Sequence, residues 1–326
     1  MRIIVAGGTG FLGRALSHSL ADSGHRVQIL SRRLPAPAEP GPARQLEYIS
    51  WTPDGSANSS WASACSGADA IVNLAGESIA AGRWTEARKA QLRDSRILAT
   101  RSLARFIAEA EQPPAALVSA SAIGFYGDRG SETLTEDAGP GGDFLAQLGT
   151  EWEKEALAAQ RGRTRVVLLR TGIVLDPREG ALAKMVTPFR LFAGGPFGSG
   201  RQYMSWIHRD DWVSLARWAV ETPGVRGPLN LTAPDPVTNV DFARALGRAL
   251  HRPAVVPAPG FALKIILGEM AGPLLLYSQR VVPARALAGG FRFAHPDLDD
   301  ALADLLRMRN PGSEDPGLHH ERGGRI

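Results

Sequence analysis

The apolar positions change period along the chain. Residues 2–6 form a short apolar run closed by glycines, the pattern of a strand buried on both faces. From Phe11 to Ser23 the period lengthens to that of a helix. Leu12, Ala15, Leu16 and Leu20 share one face, and Gly24 is the stop. Strands are predicted at 27–30, 46–51 and 69–74, the last ended by Gly76. Pro35, Pro37, Pro40 and Pro42 force an extended surface loop between the first two of these. A long helix over 85–110 follows, its arginines and glutamates read as solvent-facing, and then a strand at 116–121. The polar, glycine-rich loop 127–142 is longer than a mere connection needs. A helix at 144–160 and an apolar strand at 165–169 complete the alternation. Repeated strand–helix–strand units predict an α/β fold, a Rossmann-type doubly wound parallel sheet with helices on both faces.

After Gly172 the rhythm breaks. Gly194, Gly195, Gly198 and Gly200 mark loops, Asp210 and Asp211 open a helix reaching Glu221, and 229–231 is a short strand. Thr238 and Asp241 have the spacing of a helix-start cap for a helix ending near Leu250. The division expected is a Rossmann domain over 1–175, a smaller α+β substrate lobe over 176–306, and a flexible tail over 307–326.

Composition narrows the function classes. The chain has 326 residues, 44% hydrophobic and 21% charged, enough for a sizeable core and too apolar for disorder. A formal net charge of +4, with no run of basic residues, argues against a nucleic-acid partner. The apolar stretch 261–277 is broken by Lys264, Glu269 and Pro273 and is short for a membrane span. The opening apolar run stops at Gly7, too soon for a signal peptide. The single cysteine, Cys65, can form no internal disulfide and reads as a small buried apolar residue. A cytoplasmic setting is the resulting expectation.

Gly7, Gly10 and Gly13 lie between a predicted strand and a predicted helix. The first glycine makes the tight turn, the second lets the backbone approach a pyrophosphate, and the third lets the helix pack on the sheet. At the end of the second strand stand Ser31, Arg32 and Arg33 rather than the carboxylate that would hold an NAD ribose. Guanidiniums there suit the extra phosphate of NADP(H). No cluster of cysteines and histidines offers a structural zinc site, and His319–His320 alone are no metal site.

These residues resemble the short-chain dehydrogenase/reductase superfamily, in its extended, epimerase/dehydratase branch. Gly7-Gly8-Thr9-Gly10-Phe11-Leu12-Gly13 looks like its cofactor loop. Leu74-Ala75-Gly76, followed by Glu77, resembles the adenine–ribose loop after the fourth strand. Ser119-Ala120-Ser121 with Phe125-Tyr126-Gly127 resembles the active-site serine strand, and the stretch from Arg170 through Thr171 and Gly172 the segment beside the nicotinamide. Further likenesses at 205–211, 233–239 and 268–296 point to one atypical subgroup of epimerase family proteins with a C-terminal domain of unknown function. The resemblance implies NADP(H), a small-molecule substrate and oxidoreductase or epimerase-like chemistry. Homodimers are common in the superfamily, though this sequence identifies no interface.

One departure matters. The superfamily's Tyr-x-x-x-Lys proton relay belongs on the helix 144–160, which has no tyrosine. One alignment puts Gln147 and Glu151 in the two slots; another puts Leu145 and Gly149 there. Three outcomes stay open. Tyr126, Glu77 or Glu151 could substitute as the acid, against a competing reading of Tyr126 as a packed aromatic with a satisfied hydroxyl. Ser121 could polarise a carbonyl while water completes protonation. Or the chain could be a non-catalytic NADP(H) sensor. His208 reads as a packed histidine beside a capping aspartate. Arg201 and Gln202 are either anion contacts or a surface turn.

Overall fold

The computed structural model describes residues 1–34, 46–57, 60–160 and 163–307. The proline-rich loop and the tail from residue 308 onward, with His319–His320, lie outside the described residues.

Seven strands form one parallel sheet: β1 (Arg2–Ala6), β2 (Arg26–Ser31), β3 (Leu46–Ser50), β4 (Ala70–Asn73), β5 (Ala116–Ala122), β7 (Arg165–Thr171) and β11 (Gly227–Leu231). Their order is β11-β7-β5-β4-β1-β2-β3, so the winding reverses between β1 and β4. Ligands bind doubly wound sheets at the carboxyl ends of strands beside such a reversal. Gly227–Leu231, read from the sequence as a short strand of the smaller lobe, is instead the seventh strand, paired with β7. The sheet thus draws a strand from well beyond residue 175.

The inner strands carry continuous apolar runs because both faces are covered. Ile3, Val5, Val72, Val118 and Val167 point to one core, beneath α1 (Phe11–Asp22) and α6 (Arg209–Glu221). Ile4, Ile71, Leu117, Val166 and Leu168 point to the other, beneath α2 (Ser60–Cys65), α3 (Glu86–Glu109) and α4 (Phe144–Leu157). Cys65 is fully buried in this second core, and burial pushes its thiol pKa up to about 12. Helix starts follow capping chemistry. The Thr85 hydroxyl accepts from Arg88 N, and the Asp143 carboxylate accepts from Leu145 N and Ala146 N.

The smaller lobe has its own core, built around Trp206, Phe242, Leu246, Leu298 and Leu302. It comprises the paired strands β8 (Ile173–Leu175) and β10 (Trp206–His208), and β9 (Tyr203–Met204) with β12 (Val237–Thr238). With them stand α5 (Gly180–Arg190), α7 (Asn239–Leu250) and α10 (Leu298–Leu306), while α8 (Gly260–Leu267) packs beside α3 and α9 (Ala284–Ala288) packs on β11 with Ala286 in the first sheet core. Thr238 caps α7 by accepting from Asp241 N, as its spacing predicts. The loop 127–142 contributes β6 (Thr133–Leu134), which pairs with β13 (Arg280–Val281) and ties the sheet domain to the C-terminal segment. Among the described residues no helix is long and apolar enough to cross a membrane.

Candidate cofactor and substrate site

The glycine loop joins β1 to α1. Gly7 has φ +79°, and a Cβ there would lie 2.6 Å from the Leu74 carbonyl carbon, so the turn is pressed against the loop after β4. A Cβ on Gly13 would strike the Gly7 carbonyl and come within 2.8 Å of Gly8 Cα, so the first turn of α1 also packs tightly. Gly10 is the N-cap of α1. No side chain caps it and no acidic residue stands in the first turn, so neither the cap nor that turn offers these N–H groups an anion. Thr9 and Gly10 are exposed, Phe11 and Leu12 half-buried. Backbone donors, a close-packed turn and an open approach fit a pyrophosphate.

At the end of β2, the Ser31 hydroxyl turns back to donate to Arg33 O at 2.6 Å and accepts from Arg33 N. It is thereby committed to the turn. Arg32 is exposed and reaches Glu77 at 3.4 Å; Arg33 is exposed and forms no ion pair among the described residues. Glu77 is half-buried, with Arg88 at 3.9 Å on its other side. Asn73, at the end of β4, sets the path of Leu74, Ala75 and Gly76. Its amide donates to the Thr100 hydroxyl at 2.8 Å and the Ser119 hydroxyl at 3.4 Å, while its Oδ1 accepts from Ala75 N. Ser119 is fully buried in this cluster.

Beside these loops lies an apolar cavity of about 200 Å³, lined by Ile123 and Phe125, the 145–152 face of α4, and Thr171 and Gly172. The 273–277 segment also lines it. Leu145 and Gly149 are on the wall, whereas Gln147 and Glu151 are exposed, the latter bound to Arg93 at 2.7 Å. Of the two pairs the sequence offers for the relay slots, Leu145 and Gly149 face the cavity and Gln147 and Glu151 face away from it. A Cβ on Gly124 would lie 3.2 Å from the Leu145 side chain, which fixes this register against the turn after β5.

Ser121 and Tyr126 are drawn into a buried network instead of the cavity. Ser121 donates to Glu153 Oε1 at 2.6 Å, and Glu153 holds Arg170 through Nε at 2.8 Å and Nη2 at 2.9 Å. Arg170 Nη1 reaches the Tyr126 hydroxyl at 3.0 Å, and that hydroxyl donates to Asn230 Oδ1 at 2.7 Å. Tyr126 is fully buried, and burial raises its pKa despite the guanidinium beside it. Phe125 lies under Arg170, ring centroid to Cζ 3.7 Å. The Thr171 hydroxyl accepts from Trp212 Nε1 at 3.1 Å, and a Cβ on Gly172 would come within 2.8 Å of Thr232.

Three side chains behave differently from their sequence reading. Arg96, read as one of the solvent-facing arginines of α3, is 9% exposed and lines the cavity, and burial lowers its pKa to about 10. His208 itself caps α6, its Nδ1 accepting from Asp210 N at 3.1 Å, so a histidine and not an aspartate makes the cap. Gln202 is buried and donates to Phe197 O and Leu275 O, pinning the 272–276 turn, while Arg201 is exposed.

The model of the NAD dependent epimerase/dehydratase family matches residues 3–231. The chain belongs to this family. Residues 258–305 match a domain of unknown function (DUF1731). The chain is 41% identical over 310 residues to the epimerase family protein YfhF of Bacillus subtilis, covering 95% of this chain and 99% of that protein. The crystal structure of human epimerase family protein SDR39U1 (isoform 2) with NADPH superposes with a TM-score of 0.84 at 38% identity. It covers 94% of this chain and 99% of that one. A nucleoside-diphosphate sugar epimerase of Corynebacterium glutamicum gives a TM-score of 0.75 at 34% identity, over 94% of this chain and 58% of its own. This epimerase-family fold is thus the one that carries the glycine loop and the apolar cavity.

Proposed function

We propose that this chain is an NADP(H)-dependent oxidoreductase or epimerase-like enzyme for a small molecule, working without the superfamily's tyrosine–lysine relay. The observation that carries the reading is the uncapped, close-packed glycine turn at α1, which follows β1 where it pairs with the end of β2, just before the exposed Arg32 and Arg33. The NADPH in the human relative's structure supports it. In this reading the N–H groups of the first turn of α1 hold the pyrophosphate, and Arg32 and Arg33 take the additional phosphate in place of Glu77. The 74–77 loop lies along the adenosine, and Thr171 and Gly172 back the nicotinamide. Bound NADPH supplies hydride. The apolar cavity receives the reacting face of the substrate, and no acid occupies the Leu145 and Gly149 positions, so protonation falls to another group at the cavity, where Tyr203 and Tyr277 carry phenols, or to solvent. Ser121 and Tyr126 serve as supports: their hydroxyls are engaged by Glu153 and Asn230.

The same two apolar slots favour a second reading, a non-catalytic NADP(H)-binding sensor. The two are separated by following oxidation of protein-bound NADPH against a panel of ketones, enones and quinones. Consumption with stereospecific label transfer supports the enzyme. A panel that leaves NADPH intact supports the sensor.

A further inference from the structure

The cavity has a composition that restricts what can enter it. At about 200 Å³ it falls below the roughly 300–1,000 Å³ of pockets that enclose drug-sized ligands. Phe125, Leu145, Leu148 and Trp152 form one wall and Leu274 and Leu275 another. Most of its polar lining is already engaged. Ser205 Oγ donates to Gln279 O at 2.7 Å, and Gln279 Nε2 donates to Ile123 O and Gly127 O at 3.1 and 3.0 Å. Arg96 is the one charged residue among those lining it.

Arg96 forms no ion pair among the described residues. Its Nη1 donates to Leu92 O and its Nη2 to Glu77 O, both at 2.9 Å and both neutral acceptors. The Glu77 carboxylate is directed to Arg32 and Arg88 instead. The guanidinium lies 5.2 Å from the Trp152 ring centroid, so the cation and the apolar wall are adjacent. A buried cation whose hydrogen-bond partners are all neutral, with the Glu77 charge acting on it only from beyond contact, is costly, and an incoming anion lowers that cost through charge-assisted hydrogen bonds.

We infer that the cavity takes a compact, largely apolar carboxylate whose anionic end meets Arg96 while its body packs on the apolar wall. A nucleoside-diphosphate sugar is too large and too polar for this space, and its two phosphates would find a single cation. The inference rests on the reading that NADP(H) fills the adjoining glycine cradle, and it names the ligand class of the remaining space.

The test is calorimetric titration of the full chain, with and without saturating NADP⁺, using trans-cinnamate, its near-isosteric neutral ketone benzylideneacetone, and UDP-glucose. Cinnamate is expected to bind at least tenfold more tightly than the ketone, the preference is expected to vanish in Arg96→Gln, and UDP-glucose is expected not to bind. Equal affinity for the pair, a preference that survives Arg96→Gln, or binding of UDP-glucose overturns the inference. Should Arg96→Gln fail to fold, the wild-type pair decides alone. A parallel NADPH titration keeps the two readings apart. Cofactor binding without cinnamate binding overturns only the ligand class, and no dinucleotide binding overturns the cofactor reading.

Discussion

Arg170 and Glu153 meet inside the protein as a two-pronged pair, Nε to Oε1 at 2.8 Å and Nη2 to Oε2 at 2.9 Å, with both side chains under a tenth exposed. The pair takes up the hydroxyls of Ser121 and Tyr126 and joins β5, β7 and α4 behind the cavity. Removing one member leaves a buried charge without its counter-ion. Arg170→Met is therefore expected to cost about 3–5 kcal/mol. The double variant Arg170→Met/Glu153→Leu should recover much of that loss. Urea midpoints of the single and double variants check this, and equal losses in both would contradict it.

Tyr126→Phe removes a hydroxyl that donates to buried Asn230 and accepts from Arg170. The expected cost is about 1–3 kcal/mol of stability, from partners left unsatisfied. NADPH affinity should not change, because the hydroxyl faces the network and not the glycine turn. Thermal unfolding and NADPH titration on the same sample give both numbers. A large loss of NADPH affinity with unchanged stability would return Tyr126 to the list of active-site acids.

Gly13→Ala should damage cofactor binding, since a Cβ there strikes the Gly7 carbonyl and forces the turn apart. At least a tenfold loss of NADPH affinity is expected. Gly139→Ala, in a position with no atom within 4 Å of the added Cβ, should bind as wild type. Fluorescence titration of the two variants side by side is the measurement.

Acid sensitivity should centre on His208. Its pKa is lowered, chiefly by burial and then by stacked His295, whose ring centroid lies 3.9 Å away. A depressed folded pKa means the unfolded chain binds more protons below the ordinary histidine range. Stability is then full above about pH 6.5 and falls as pH drops below it. His208→Asn keeps a capping acceptor and removes the titrating ring. Denaturation midpoints at pH 7.5 and 5.5 should show a smaller acid loss in the variant than in wild type.

The alternating elements were legible because β1, β4, β5 and β7 are buried on both faces, which leaves continuous apolar runs between glycine stops. β11 was harder to place. Its five residues include Pro228 and the buried, hydrogen-bonded Asn230, and its partner β7 lies some sixty residues earlier. The glycine turn was readable from its spacing together with its place between a predicted strand and a predicted helix, whereas the register of the relay helix was not. Both alignments put their pair four residues apart, and which pair lines the cavity depends on the packing of the folded helix. Arg96 looked like any other arginine on a charged helix, because its burial is produced by residues distant in sequence: the 76–77 loop and Trp152. Histidine at a helix start carries a weak signal, and only the structure shows its ring accepting from the second backbone N–H.

The most direct measurement is calorimetric titration of the purified chain with NADPH, NADP⁺, NADH and NAD⁺, repeated with Arg32→Ala and Arg33→Ala. The account predicts tight NADP(H) binding, weaker NAD(H) binding, and a preference that shrinks when either guanidinium is removed. Equal affinity for the two cofactors in wild type, or no dinucleotide binding at all, would contradict it.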